Sequence, residues 1–381
     1  MKNYTIIIAL LLWTLQTKAQ RYLTNQFTQV DSIVNIVYGN ANNYLGNPEQ
    51  LKLDFFQPNG DVLTKRPLII YVHGGGFTSG TRKYLHIKNI LSLMVLKGYV
   101  AASIDYRLDP NFNLYNSNSD RRAMTDAMHD TKAAIRFFKA NATTYGIDTN
   151  QIVIGGESAG AISSMMASYV DKQSEMAIYP MANPNNPIGN SGNPGHSNTT
   201  KATLCLCGLI LDTTAIENND KPVLLVHGTS DVFIPLVFAQ NIVDRAQHTT
   251  TNYTKYFFNG ATHCPWITTL PNYAMYEDST VTLITDFLYP QISTGLNQEL
   301  NLKQVVNVFP NPSYGVLTIE NTSSINDIKL NILDVLGNTV YTNSLAAQET
   351  KQLQLQQLAQ GIYFINFKSN NHTATQKIII N

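Results

Sequence analysis

The stretch Ile152-Val153-Ile154-Gly155-Gly156-Glu157-Ser158-Ala159-Gly160 decides the fold of this chain. Its apolar, β-branched beginning predicts a buried strand, and the residues from Ala159 to Val170 predict a helix directly after it. The Gly-x-Ser-x-Gly pattern between them is typical of a sharp strand-to-helix turn, in which the glycines leave room for the backbone and the serine hydroxyl stands above the sheet edge. Ser158 is therefore the candidate nucleophile.

Strand-like and helix-like segments alternate on both sides of this turn. Runs rich in β-branched residues predict strands at Pro67–Val72, Val100–Asp105, Ile152–Gly156, Leu204–Asp212, Pro222–Val226 and Lys255–Phe258. Helical periodicity predicts helices along residues 124–138, Ala159–Val170, Val237–Ala246 and Tyr273–Leu288. This alternation predicts an α/β domain in which helices flank a mostly parallel sheet. The Asn-, Pro- and Gly-rich stretch Ile178–Thr200 predicts a long loop, either a cap over the site or an inert surface excursion.

A glycine run, His73-Gly74-Gly75-Gly76-Phe77, follows the predicted strand Pro67–Val72. Glycines at such a position leave backbone N–H groups free to point at a developing oxyanion. We interpret His73 itself as a structural loop histidine rather than a base.

A serine hydroxyl becomes a good nucleophile only when a base removes its proton and a carboxylate orients that base. Asp231 lies in the loop after the predicted strand Pro222–Val226, and His263 lies in the loop after Lys255–Phe258. The order Ser, Asp, His along the chain resembles that of the α/β-hydrolases. Asp212, which also ends a predicted strand, is the rival acid. We read His227 as a turn residue and expect Glu157 to make a structural hydrogen bond.

Over residues 45–290 the chain resembles the carboxylesterases and lipases that carry an HGGG loop, a group near hormone-sensitive lipase and the bacterial feruloyl and acetyl esterases. The resemblance lies in His73–Phe77, Asp105-Tyr106-Arg107-Leu108, Tyr145-Gly146-Ile147-Asp148 and Gly156–Gly160. The sequence departs from the pattern of this group at two places, which affects the assignment to a subfamily. Ala161 replaces the second glycine that commonly follows the nucleophile turn, and Asp109-Pro110-Asn111 lacks the Pro-Glu that follows the Asp-Tyr-Arg-Leu motif in many relatives.

The resemblance implies an α/β-hydrolase fold and ester hydrolysis through an acyl-enzyme, with no cofactor and no metal. It assigns the amides of Gly75, Gly76 and Ala159 as oxyanion donors. Feruloyl or acetyl groups on plant polysaccharides, short-chain esters and polyesters all remain open as substrates. Two other functions also remain open: a serine peptidase of the same fold, and a surface binding protein on an inactive hydrolase scaffold.

The charge composition bears on the possible partners of the chain. The chain has 26 basic and 26 acidic side chains and no block of like charge, so nucleic acid is not an expected partner.

The three cysteines cannot all pair, and their spacing to histidine is not that of a zinc site. We expect a fold that does not depend on disulfides, with Cys205 and Cys207 facing the same side of a strand as small buried hydrophobes.

The N-terminus has the pattern of a signal peptide over residues 1–19. Lys2 precedes an apolar run from Ile6 to Trp13, and Ala19 offers a small residue for cleavage. That run is much shorter than the ~20 residues that a membrane-spanning helix requires, so we expect no stable membrane span.

The pattern changes after the predicted catalytic region, residues 20–290. A polar connector, 291–302, leads into alternating strand-like sequence over residues 303–381, which predicts a small β-sandwich. Predicted strands lie at Ile328–Ile332, Leu353–Leu355, Ile362–Phe367 and Ile378–Ile380, with turns at Gly337-Asn338 and Asn370-Asn371.

This terminal region resembles the C-terminal sorting domain of proteins exported by the type IX secretion system. The motifs are Asn307-Val308-Phe309-Pro310-Asn311-Pro312, Gly315, Leu333-Asp334-Val335-Leu336-Gly337, Gln360-Gly361-Ile362-Tyr363 and Lys377-Ile378-Ile379-Ile380. The resemblance implies a partner in the secretion machinery and a location outside the cell or on its surface. A carbohydrate-binding β-sandwich is the alternative.

Overall fold

The computed structural model describes residues 21–113, 121–179, 186–267, 269–270, 272–293, 306–321, 328–369 and 372–381. The predicted signal peptide, most of the predicted connector and the turn Asn370-Asn371 lie outside these residues. The chain divides into two compact units between Ile292 and Ser293. In the described ranges, no helix combines the length and apolar character needed to cross a membrane.

The first unit is built on an eight-stranded sheet with the order β1-β2-β4-β3-β5-β6-β7-β8. The strands are β1 Val30–Asn42, β2 Pro48–Pro58, β3 Arg66–Val72, β4 Val100–Ile104, β5 Ile147–Glu157, β6 Ala202–Leu206, β7 Val223–Gly228 and β8 Tyr253–Phe258. Strand β2 is antiparallel to both β1 and β4, and the remaining pairs are parallel. Because parallel strands end at one edge, the loops after β3, β5, β7 and β8 meet there.

Helices cover both faces of this sheet. They are α1 Leu85–Leu96, α2 Arg122–Ala140, α3 Ala142–Tyr145, α4 Ala159–Tyr169, α5 Val237–His248 and α6 Tyr273–Ser293, with 3₁₀ turns at Gln173–Ile178 and Thr213–Ala215. Neighbouring residues of a strand face opposite sides, so Ile70 and Ile154 pack into one apolar core while Ile69 and Val153 pack into the other. The predicted α/β fold class is confirmed.

Part of the predicted long loop is tied to α2 by buried cations. The Lys132 ammonium donates to the carbonyls of Val170 and Pro187, at 2.5 and 2.8 Å. The Arg136 guanidinium donates to the carbonyls of Ile188 and Gly192. Residues 186–200 therefore pack on the helix, whereas residues 180–185 lie outside the described part of the chain.

The cysteines differ from the expectation drawn from the sequence. Strand β6 ends at Leu206, well before the predicted end at Asp212, and Cys207 has a positive φ of 47°. This turn interrupts the alternation, so Cys205 and Cys207 lie in opposite cores rather than on the same side. Cys207 forms a disulfide with Cys264, with 5.8 Å between their Cα atoms, while Cys205 is a buried free thiol. The expectation that Cys205 and Cys207 face the same side was wrong. That the fold does not depend on disulfides stays a prediction.

The second unit is an antiparallel β-sandwich. Its strands are β9 Val306–Phe309, β10 Val316–Asn321, β11 Ile328–Leu333, β12 Thr339–Leu345, β13 Thr350–Gln354, β14 Gly361–Ser369 and β15 His372–Ile380. One sheet has the order β13-β10-β9 and the other β12-β11-β14-β15. Alternate residues such as Leu317, Ile319, Leu330 and Ile365 form a core that belongs to this unit alone.

Candidate active site

Ser158 occupies the turn between β5 and α4 in a strained backbone conformation. Its φ is 53° and its ψ is −122°, a region that residues with a side chain rarely adopt. A Cβ on Gly156 would lie 2.3 Å from the Val72 carbonyl oxygen, and one on Gly160 would lie 2.0 Å from the same atom. Both flanking glycines are therefore required by the close passage of β3, as the sequence predicts.

The structure brings the three predicted residues Ser158, His263 and Asp231 together. His263 Nε2 lies 2.9 Å from Ser158 Oγ, and His263 Nδ1 lies 2.7 Å from Asp231 Oδ2. The three side chains come from the loops after β5, β8 and β7, so the shared edge of the parallel strands creates the cluster. The side chain of His263 is 16% exposed and that of Asp231 is fully buried.

The Asp231 carboxylate is held in its charged form. Its Oδ1 accepts hydrogen bonds from the amides of Phe233 and Ile234, at 2.9 and 2.8 Å. Burial alone would raise the pKa of Asp231, but hydrogen bonds from His227, His263 and the Ile234 amide lower it well below its ordinary range. His227 Nε2 also donates to the Ile234 carbonyl at 2.7 Å, which holds the loop in place. His227 itself is buried and lies within strand β7, so the interpretation of it as a turn residue was wrong.

The rival acid Asp212 is used elsewhere. Its Oδ1 accepts from the backbone amide of Thr214 at 2.9 Å and from the Thr214 hydroxyl at 2.6 Å, so it caps the short 3₁₀ turn that follows it. The carboxylate that meets His263 is that of Asp231.

The glycine run passes directly beside the nucleophile. A Cβ on Gly74 would lie 3.3 Å from Ser158 Cβ, and one on Gly75 would lie 2.0 Å from the Ser79 carbonyl oxygen. Gly75 and Gly76 have positive φ values of 123° and 62°. Within the described ranges, the amides of Gly75, Gly76 and Ala159 donate to no protein acceptor. Ala159 is the first residue of α4, where backbone N–H groups have no acceptor within the helix and favour negative charge.

Glu157, directly before the nucleophile, joins several elements in the interior. Its carboxylate accepts from Trp266 Nε1 at 2.8 Å and from the Tyr71 hydroxyl at 3.2 Å, and it lies 2.6 Å from His86 Nε2. Burial raises the pKa of Glu157, but the hydrogen bond and electrostatic interaction with His86, together with the hydrogen bonds from Trp266 and Tyr71, outweigh burial and lower the pKa. The predicted structural hydrogen bond is confirmed, although no sequence signal identified its partners.

One cluster of possible metal ligands occurs among the described residues, at Cys207, His263 and Cys264. Its two sulfur atoms are bonded to each other, and both nitrogens of His263 already contact Asp231 and Ser158. This donor set does not fit a metal ion.

Two family models match the chain. Residues 53–193 match the BD-FAE model, which confirms the predicted resemblance to esterase- and lipase-type α/β-hydrolases over that region. Residues 307–381 match the model of the secretion system C-terminal sorting domain. The second unit is therefore a sorting domain that directs the chain to the cell surface or the exterior.

Known proteins with similar sequences include esterases. Esterase LipC of Mycobacterium tuberculosis is 26% identical over 226 residues, which are 53% of this chain and 53% of LipC. Esterase B1 of Culex pipiens is 31% identical over 121 residues, which are 31% of this chain and 22% of that esterase. The matches thus span about half of one relative and about a fifth of the other.

Solved structures of esterase 2 from Thermogutta terrifontis are similar over most of their length. The propionate-bound form has a TM-score of 0.55 at 20% identity and covers 72% of this chain and 96% of the esterase. The form phosphorylated by paraoxon has a TM-score of 0.52 and covers 68% of this chain and 93% of the esterase. The first unit has the α/β-hydrolase fold.

Proposed function

We propose that this chain is a secreted serine esterase that hydrolyses carboxylic esters through an acyl-enzyme intermediate. The observation that carries the proposal is the continuous chain of hydrogen bonds from Ser158 through His263 to Asp231. Beside it lies a glycine loop whose Gly75 and Gly76 amides donate to no acceptor among the residues that the structure describes. A strained nucleophile turn, a base and a buried carboxylate in this geometry are the parts that acyl transfer needs.

In the first step, Ser158 Oγ attacks the carbonyl carbon of the ester while its proton passes to His263 Nε2. Asp231 keeps the Nδ1 proton of His263 in place and stabilises the positive charge on the imidazolium. The carbonyl oxygen becomes an oxyanion, which we assign to the amides of Gly75, Gly76 and Ala159. Donors fixed before the reaction cost little reorganisation when the charge develops.

In the second step, the tetrahedral intermediate breaks its bond to the alcohol oxygen, which receives the proton from His263 Nε2. The acyl group stays on Ser158 as an ester. Water then gives a proton to His263, attacks the acyl carbon and releases the carboxylic acid, while Ser158 regains its hydrogen.

The substrate is either a free small-molecule ester or an ester group carried on a polysaccharide. Thermogutta terrifontis esterase 2 has been solved with propionate and with butyrate, both short carboxylates. Esters of short acids are accordingly the first members of the test series.

The test combines activity with covalent labelling. The purified protein is assayed on p-nitrophenyl esters of graded chain length, methyl ferulate and acetylated xylan. Ser158→Ala should reduce turnover by a factor on the order of 10⁶, since a triad nucleophile is removed. Ser230→Ala, an exposed serine in the Asp231 loop, is the matched control. A fluorophosphonate adduct that maps to a serine other than Ser158, or wild-type protein inactive on every ester, would overturn the proposal.

A further inference from the structure

Phe233 places a largely exposed aromatic ring beside the candidate base. The residue is 60% exposed, and its ring centroid lies 5.5 Å from that of His263 with 54° between the ring planes. Val232, which precedes it, is 80% exposed. An apolar surface is thus accessible next to the imidazole that meets Ser158 Oγ.

The position of this ring is coupled to the position of the base. The Phe233 amide donates to Asp231 Oδ1 at 2.9 Å, while Oδ2 of the same carboxylate meets His263 Nδ1 at 2.7 Å. The next residue, Ile234, is buried and also donates to Oδ1, at 2.8 Å. One buried carboxylate therefore fixes both the imidazole and the backbone that carries the ring.

The chemistry of the proposed reaction distinguishes the two halves of the substrate. His263 Nε2 must deliver its proton to the alcohol oxygen, so that oxygen has to lie within hydrogen-bond reach of the imidazole. The assigned oxyanion donors, Gly75, Gly76 and Ala159, come from other loops of the same sheet edge. The alcohol half of the ester is therefore the half that is brought next to His263.

We propose that Phe233 is a specificity-determining residue for the alcohol half of the ester, favouring apolar and aromatic alcohols by contact with its exposed ring. The inference rests on the proposed ester hydrolysis. It implies that Phe233 acts during formation of the acyl-enzyme and has no role once the alcohol has left.

The test compares esters that share one half. 2-Phenylethyl acetate and ethyl acetate share the acyl group and differ in the apolar alcohol, whereas ethyl acetate and ethyl 3-phenylpropanoate share the alcohol. In Phe233→Ala, we expect the preference in kcat/KM for the phenylethyl over the ethyl alcohol to fall about tenfold, the size of a modest apolar contact. The preference between the two acyl groups should stay unchanged. Phe233→Tyr should retain the alcohol preference, and Val62→Ala, 88% exposed in the same unit, is the control.

Deacylation separates this role from a structural one. The slow phase after the p-nitrophenol burst from p-nitrophenyl acetate reports hydrolysis of the acetyl-enzyme and should be the same in Phe233→Ala and wild type. Equal loss on all esters, a changed deacylation rate, or a shift confined to the acyl series would overturn the inference while leaving ester hydrolysis intact. A wild-type protein that hydrolyses none of these esters would instead refute the proposed function.

Discussion

At the scale of single residues, Asp231 connects the groups on which the proposed chemistry depends. One oxygen of its carboxylate meets His263 and the other receives two backbone amides of its own loop. The lowered pKa of Asp231 keeps this carboxylate charged through the mildly acidic range, so it can stabilise an imidazolium there. The same carboxylate sets the tautomer of the base and the shape of the loop.

We predict that Asp231→Asn cuts turnover by roughly 10⁴ because the amide favours the wrong imidazole tautomer. The expected loss is in kcat on a p-nitrophenyl ester, with circular dichroism showing an unchanged fold. Asp212→Asn is the matched control, since that carboxylate only caps a 3₁₀ turn. The opposite pattern, with Asp212→Asn inactive and Asp231→Asn active, would make Asp212 the acid.

Glu157 leads to a prediction about stability and pH. Because the folded state lowers the pKa of Glu157, its stabilising contribution is present above the pKa of the unfolded chain, ~4.3, and is lost as the pH falls through the folded value. Glu157→Gln replaces the buried carboxylate that meets His86 and Trp266 and should cost about 1–3 kcal/mol of unfolding free energy near pH 7, because buried hydrogen bonds to a charged group are weakened or lost.

The measurement is the melting temperature between pH 3 and 7. The wild type should lose stability on acidification below about pH 4.3, and the Gln variant should show a shallower slope in that window. Glu217→Gln, which removes an exposed partner of Lys172, is the control and should change little. Identical slopes for wild type and Glu157→Gln would rule out this contribution.

How far the sequence predicts the site depends on how local each signal is. Ser158 and the glycine run are identified by neighbouring residues, because the strand, the turn and the helix constrain a few consecutive positions. The partners of Glu157 come from β3, α1 and the loop that follows His263, and each position alone looks like an ordinary core residue. Such contacts depend on how elements distant in the sequence pack together, and no short sequence motif predicts that packing.

At the scale of elements, the disulfide ties the end of one strand to the loop of the base. Cys207 directly follows β6, and Cys264 directly follows His263. The Ser158 amide in turn donates to the Leu206 carbonyl at 3.0 Å, so the nucleophile turn and the histidine loop are both attached to the end of β6. The disulfide thus belongs to the framework that sets the distance between base and nucleophile.

We predict that the double variant Cys207→Ala/Cys264→Ala loses about 2–4 kcal/mol of unfolding free energy, because the unfolded chain is no longer cross-linked. Its kcat should also fall, since the His263 loop is less restrained. Denaturant titration with and without a reductant measures the first effect.

The control is Cys205→Ala, whose unfolding free energy should still fall when reductant is added. The unfolding free energy of Cys207→Ala/Cys264→Ala should not respond to reductant. A peptide map that joins Cys205 to Cys264, or a wild type that reductant does not affect, would contradict this pairing.

The elements that the sequence predicts are the ones with a clear period. Strands β3, β4, β7 and β8 and helices α2, α4 and α5 begin and end within about two residues of their predicted ends. Strand β5 begins earlier than predicted, β6 ends earlier, and α6 ends later. Strands β1 and β2 and helices α1 and α3 of the first unit were not predicted, and neither were β9, β10 and β12 of the second. Strand β1 lies at the sheet edge with mostly exposed residues, so it lacks the alternation that identifies a strand. The early end of β6 depends on the positive φ at Cys207, which its residue type does not signal.

At the scale of the whole molecule, the two units differ in sequence pattern because they have separate cores. Helix periodicity gives way to strand alternation after α6, and the apolar residues of the second unit pack among themselves. All residues assigned to the proposed chemistry lie in the first unit, whereas the sorting-domain match lies in the second. The domain boundaries at residues 20–290, 291–302 and 303–381 remain predictions.

We predict that a chain of residues 20–295 retains full esterase activity and loses export. The first unit contains Ser158, Asp231 and His263 and its own apolar cores, so removal of the second should change kcat/KM on a p-nitrophenyl ester by less than about twofold. The control is the chain of residues 20–381, purified in the same way. Export is measured separately, in cells with a type IX system, as the fraction of activity in the medium and on the surface for chains with and without residues 296–381. An insoluble or inactive shorter chain would mean that the sandwich also supports the hydrolase, whereas normal export without it would place the sorting signal elsewhere.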